Sequence, residues 1–138
     1  MANVPKPYEL EVVLKEGYLH ATVRGANSAE AVLGYLSEIR EACLRRGYKR
    51  VLIEENLQGP GLGTVNVFEV TSTASARTWP AVLRIAFVDV NPEHDPAAMK
   101  FAETVARNRG INVRVFSRVD EAEKWFASEP TDGSGTEA

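Results

Sequence analysis

The chain has 138 residues, 44% hydrophobic and 25% charged, a composition that fits one globular domain able to bury a core without disulfides or a structural metal. Its formal charge of −3 resides in the stretch from Ser128 to Ala138, where Glu129, Asp132 and Glu137 occur without Lys or Arg; the rest is neutral, which argues against a nucleic-acid partner. The single cysteine, Cys43, excludes a bridge within the chain, and no segment reads as a signal peptide or membrane span, because the most apolar run, Ala81 to Val90, is interrupted by Arg84. The expectation is a soluble cytoplasmic protein.

The first patterned stretch runs from Tyr8 to Leu14, turns at Lys15-Glu16-Gly17 and returns from Tyr18 to Arg24. Alternation predicts a β-hairpin with Tyr8, Leu10, Val12 and Leu14 on the core face, and Gly17 supplies the positive φ of a tight reversal. Asn27 or Ser28 can then cap a helix, with Glu30 at capping-box distance from Asn27. Ala29, Val32, Leu33, Leu36, Ile39 and Cys43 recur at helical spacing, so this helix is amphipathic. Gly47 stops it, and Arg50 to Glu54 reads as a short strand buried on both faces, which completes a parallel βαβ unit.

Gln58 to Thr64 is a Gly-rich loop. Val65 to Arg77 follows as a helix, with Val65, Phe68, Ser72 and Ala76 on one face. Arg84 to Asp89 is the next buried strand, and Asp95-Pro96 opens a helix with a cap residue and a proline at its first position. That helix packs through Phe101, Ala102, Val105 and Ala106 and ends at Gly110. Val113 to Phe116 is the last strand, and Asp120-Glu121-Ala122-Glu123 caps a final helix carrying Trp125 and Phe126. The fold class is therefore α/β: a mixed, mostly parallel β-sheet with an N-terminal β-hairpin and about four helices. Residues 1–127 form the domain, and 128–138 are too polar to pack and are expected to be disordered.

A hairpin followed by alternating helix and strand resembles the STAS domain, the fold of bacterial anti-sigma-factor antagonists, over roughly Tyr8 to Ala127. Gly61-Leu62-Gly63, just after the strand Val51 to Ile53, is similar to the Gly-Leu-Gly that opens that family's second helix. The ending Val113 to Ser117 with Asp120 to Phe126 also looks like the close of these domains, including a STAS-like branch with a proposed apolar pocket. In the antagonists a phosphorylated Ser or Thr directly precedes the triplet; here that position is Pro60, and Glu54 to Pro60 is a shorter connection than theirs. The nearest hydroxyl is Thr64, in the first turn of the following helix, where phosphate would meet free amides and a favourable dipole; its alternative role is a cap.

The resemblance implies a non-catalytic regulatory module binding a protein partner, of a kinase or sigma-regulatory type, through Gly61, Leu62, Gly63, Thr64 and Phe68. The alternative is a small-molecule or lipid-binding protein with an apolar pocket beside the helix that starts near Thr64, bordered by Phe68, Trp79 and Trp125. In a parallel sheet ligands collect beyond the carboxyl ends of the strands, which points to Glu54, Glu55, Asp89, Asn91 and Ser117. Glu54 and Asp89 would form a carboxylate pair if their strands are neighbours. Asp89, Glu93, His94 and Asp95 carry metal-ligand chemistry, yet their spacing matches no recognised site, so they read as a polar turn with Asp95 as a cap, without metal or cofactor. Gly59 to Gly63 lacks the Lys-Ser/Thr of a phosphate-binding loop. His20 is a lone strand histidine, the basic cluster Arg45, Arg46, Lys49 and Arg50 a solvated helix end, and Cys43 an inert core thiol. The sequence leaves the oligomeric state open.

Overall fold

The computed structural model describes residues 6–80 and 83–128. Five strands form one sheet in chain order: β1 (Tyr8–Lys15), β2 (Tyr18–Ala26), β3 (Arg50–Gln58), β4 (Arg84–Asp89) and β5 (Val113–Phe116). The β1–β2 pair is antiparallel and every later pair is parallel. Between them lie the helices α1 (Ala29–Arg46), α2 (Thr64–Ser75) and α3 (Pro96–Asn108), and α4 (Val119–Ser128) follows β5. When parallel strands are laid down in sequence order, crossovers of one hand place every connecting helix on the same face. Accordingly α1, α2 and α3 share one side, and α4 covers β3, β4 and β5 from the other.

Strand alternation divides the core between these layers. Val51, Ile53 and Leu57 of β3 join Leu19, Ala21 and Val23 of β2 beneath the three crossover helices, with Tyr35, Ile39 and Cys43 of α1. Leu52, Ala86 and Val88 face the other way, onto Ala122, Trp125 and Phe126 of α4. Cys43 is fully buried and its thiol is pushed up to about 11 by that burial, which suits an unreactive packing group. Gly47, with φ of 71°, ends α1 in the left-handed conformation and donates its N–H to the Cys43 carbonyl.

Several local expectations are corrected. Ser28 is the N-cap of α1, its hydroxyl accepting from the Ala31 amide, so the capping box built on Asn27 and Glu30 does not form. Asn27 instead donates from Nδ2 to the Pro60 carbonyl at 3.0 Å. The core face of β1 stops at Leu10: Tyr8 packs edge-on to Tyr35, but Val12 and Leu14 are exposed at an uncovered sheet edge. Strand β3 runs on to Gln58, four residues past Glu54, because Glu55 and Leu57 continue its pairing with β2. In α2 the buried residues are Val67 and Val70, while Val65 and Phe68 are 70% and 44% exposed. The large Phe68 ring turns outward onto Phe101 of α3, whose ring is likewise exposed, with centroids 6.5 Å apart. Helix α4 begins at Val119 and includes Ser128, the first residue of the expected tail; the remainder of that tail, 129–138, lies outside the described residues. Among the described residues no helix is long and apolar enough to cross a membrane.

Candidate functional site

Beneath α2, between the sheet and helices α1 and α3, is a cavity of about 390 Å³. Its walls are apolar for most of their length, with Val32, Val67, Val70, Phe87, Met99 and Trp79 among them. The side chains α2 presents here are small or short, Val67, Val70, Thr71 and Ala74. This explains the displaced face of the helix: a space rather than a packed wall lies inside it.

The cavity has one polar end, at the carboxyl termini of β3 and β4. Glu55 stands directly opposite Asp89 in the parallel register and both carboxylates face the cavity. Glu54, one residue earlier, points to the opposite sheet face and pairs with His20, Oε1 to Nε2 at 2.9 Å. The carboxylate neighbour of Asp89 is thus Glu55, not Glu54, because alternation puts only odd-numbered β3 residues on the crossover-helix side. His20 gains a partner, on a face away from the cavity.

The loop after β4 folds back onto this end. The Asn91 amide bonds Asp89 Oδ1 at 3.0 Å, Asn91 Nδ2 donates to the Leu57 carbonyl at 2.8 Å, and Asn91 Oδ1 accepts from the Glu93 amide at 2.9 Å. This turn delivers the His94 ring between two acceptors: Nδ1 lies 2.7 Å from Asp89 Oδ2 and Nε2 lies 2.9 Å from the Gly59 carbonyl oxygen. A carbonyl accepts only, and an ionised carboxylate accepts only, so satisfying both contacts requires a proton on each nitrogen. The electrostatics agree. Burial alone would lower the His94 pKa, but bonds to Asp89 and Gly59 and the charges of Asp89 and Glu55 raise it above the ordinary value.

Glu55 is almost fully buried and is pushed up to about 7, chiefly by desolvation. The Tyr35 hydroxyl donates to its Oε2 and opposes that rise; Asp89 adds to it and His94 counters it. Tyr35 itself is held well above the usual phenol range, first by burial and then by Glu55. Glu55, Asp89 and His94 bring their donor atoms within 4.8 Å of one another. A divalent cation there would have to displace the protons through which His94 holds Asp89 and Gly59, so the group reads as a buried ion pair beside a near-neutral carboxyl. Asp95 caps α3, accepting from the Ala97 amide at 3.0 Å, and Glu93 sits at the exposed mouth.

The other expected site residues are spread out. Leu62 turns inward, packing on the core and lining the cavity together with Gly61. Gly63 is the backbone N-cap of α2 without a side-chain cap bond, and Thr64 is the exposed first residue of the helix, not its cap. Trp79 lines the cavity, its indole donating to the Ala74 carbonyl at 2.9 Å. Phe68 lies outside it, and Trp125 lies across the sheet against Phe116 and Phe126. Ser117 ends at α4, where its amide donates to Glu121. Tyr35 is a component that sequence reasoning missed: it lies between Val32 and Ile39 on the inner stripe of α1 but is not among the residues assigned to that stripe from the sequence, and its hydroxyl is the only local signal of a polar role. The sequence matches no protein-family model and no curated protein.

Proposed function

We propose that this chain is a non-catalytic binding protein for a small apolar molecule carrying one uncharged or cationic hydrogen-bonding group. The observation that carries the reading is the cavity of about 390 Å³ closed at one end by Glu55, Asp89 and His94. Its volume falls in the lower part of the range of roughly 300–1,000 Å³ common to small-molecule sites, and an apolar wall with a few convergent polar groups is their usual make-up. A neutral Glu55 can donate its acid proton to an alcohol or amide oxygen, and an ionised one can accept from an ammonium. An anionic head would add negative charge beside two carboxyls, while both nitrogens of His94 are already bonded within the protein. The same occupancy leaves His94 holding its protons rather than taking one from a substrate, which favours binding over acid–base turnover.

The reading is tested by following the emission of Trp79 in a Trp125→Phe background during titration with decanol, decylamine and decanoate. Saturable responses are expected from the alcohol and the amine, and a response at least about tenfold weaker from the carboxylate. Ala102→Leu, which extends a side chain into the cavity from α3, should weaken both favoured probes by about tenfold without lowering the melting temperature. Absence of any saturable response, or equal binding of all three probes by both proteins, would overturn it.

A second reading, the partner-binding module implied by the STAS resemblance, rests on a different observation: Val65 and Phe68 are exposed on the outer side of α2, with Phe68 against Phe101. A partner covering that patch would be lost on Phe68→Asp and kept on Ala102→Leu, the reverse of the probe-binding pattern.

A further inference from the structure

The two edges of the sheet are finished differently. At β5 the edge is closed by α3: Glu103 Oε2 accepts from the Val115 amide at 2.8 Å, and Arg107 Nη1 donates to the Val113 carbonyl at 3.1 Å. At β1, among the described residues, no strand pairs with the outer edge. Val12 and Val13 are each 43% exposed there and Leu14 63%. An unprotected edge of this length carrying apolar side chains is a template for another strand, and natural proteins ordinarily block it.

The hairpin fixes which groups point outward. Lys15 and Tyr18 flank the turn Glu16-Gly17 as paired residues. In a hairpin closed by a two-residue turn the flanking pair exchanges both hydrogen bonds, and the bonding direction then alternates along the strand. Glu9, Glu11, Val13 and Lys15 thus aim their backbone groups at β2, and Leu10, Val12 and Leu14 aim theirs away from it. A strand added antiparallel must meet Leu10, Val12 and Leu14 with its own outward-bonding residues.

We infer that the occupant is β1 of a second copy of this chain, paired antiparallel about a two-fold axis at Val12. In this register Val12 faces Val12, Leu10 faces Leu14 and Leu14 faces Leu10, so exposed Val12 and Leu14 are covered by apolar residues on one face. On the other face Glu9 meets Lys15 of the second copy and Lys15 meets its Glu9, twice by symmetry, while each Glu11 meets a valine. Shifting by one step toward the N-terminus sets Glu11 against Glu11, and a further step sets Glu9 against Glu11, contacts that destabilise a strand pair. Shifting the other way exchanges the Glu9–Lys15 contacts for Glu11–Lys15 contacts, but it loses the Leu10–Leu14 pairs and shortens the paired stretch from residues 9–15 to residues 11–15 of each strand. The charge pattern of the strand Tyr8–Lys15 thus opposes shifts toward the N-terminus, and the longer paired stretch favours the centred register over the shift toward the C-terminus. The result is one continuous sheet through both molecules, with the closed β5 edges at its ends, as expected of a dimer with two-fold symmetry.

Sedimentation equilibrium of the full chain from micromolar to millimolar concentration tests this. A monomer–dimer equilibrium is expected. Lys15→Glu replaces both attractive contacts with Glu–Glu contacts and should weaken the dimer by about tenfold or more. The exchange Glu9→Lys with Lys15→Glu restores opposite charges and should bring the dissociation constant back to within about threefold of the original. Val12→Pro, which lacks only an outward N–H, should be monomeric with an unchanged far-ultraviolet spectrum. A monomer throughout the concentration range, or a dimer indifferent to both charge variants, would overturn the inference.

Discussion

Replacing Glu55 with Gln isolates the buried carboxyl at the closed end of the cavity. The amide keeps an oxygen for the Tyr35 hydroxyl and removes the ionisable proton. In the folded chain Glu55 titrates near 7, raised from 4.5 mainly by burial. Because its pKa is raised on folding, the unfolded chain releases this proton first. Between those two values the unfolded state binds fewer protons than the folded one, so stability falls as pH rises. The gap between 4.5 and about 7 corresponds to about 3 kcal/mol, absent below it and fully expressed above. His94 also makes stability fall with rising pH, since its raised value gives support that is complete below its unfolded value and lost through its folded one. Glu55 is one of the charges that raise His94, so in Glu55→Gln the His94 slope is smaller, which adds to the relative gain of the variant at high pH; the informative quantity is the difference between the two proteins. Urea unfolding of both at about pH 4.5 and about pH 8 should show the stability of Glu55→Gln relative to the original rising by about 3 kcal/mol over that interval. Parallel pH profiles for the two proteins would refute the placement of an ionisable, desolvated carboxyl at the cavity end.

Three further substitutions probe the surrounding framework. His94→Ala leaves Asp89 without its buried counter-ion and the Gly59 carbonyl without its donor; denaturation at about pH 6 should show a loss of about 3 kcal/mol, diminishing as pH rises past the titration of His94. Trp125→Ala removes the largest residue of the α4 layer and should cost about 3–5 kcal/mol in thermal or urea unfolding while leaving probe affinity in the surviving folded protein unchanged. In Gly34→Ala the new methyl would sit 2.8 Å from Tyr8 Cε1, so Tyr8 must shift and its bond to Glu38 is disturbed; a loss of about 1–3 kcal/mol is expected by the same assay.

The elements that local chemistry determines were legible in the chain. The turn at Glu16-Gly17, the α1 stop at Gly47 and the Asp95-Pro96 start of α3 each follow from a residue's own conformational or capping preference. Strand β4 was readable at both boundaries because its apolar run is bounded by charged residues. The site was less legible, for identifiable reasons. Val51, Leu52 and Ile53 are all buried, so the apolar run hides its alternation; Glu55 is among the strand-end candidates, but a strand ended at Glu54 pairs that residue with Asp89 instead. Extending the parity of Val51 and Ile53 by one more step selects Glu55 over Glu54 as the neighbour of Asp89. The inner face of α2 was misassigned because a helix roofing a cavity has no need of bulky apolar residues, and the phenylalanine that usually marks the core marks the outside here. The position of His94 depends on a loop held by Asn91 contacts to Leu57, a separation of 34 residues that no local pattern encodes. The resemblance to the STAS domain is drawn from the order of elements and leaves the contents of the space beneath α2 undecided.

The two tryptophans, lying on opposite sides of a single sheet, give the molecule two separate optical windows. Trp79 borders the cavity, and Trp125 is packed among Phe116 and Phe126 beyond the strands. An event confined to the crossover-helix side reaches one indole, whereas loss of the whole fold reaches both. A Trp125→Phe protein would consequently report on occupancy by its remaining emission, and a Trp79→Phe protein on global melting, so that filling and unfolding, which a single averaged spectrum would blend, are read as distinct signals.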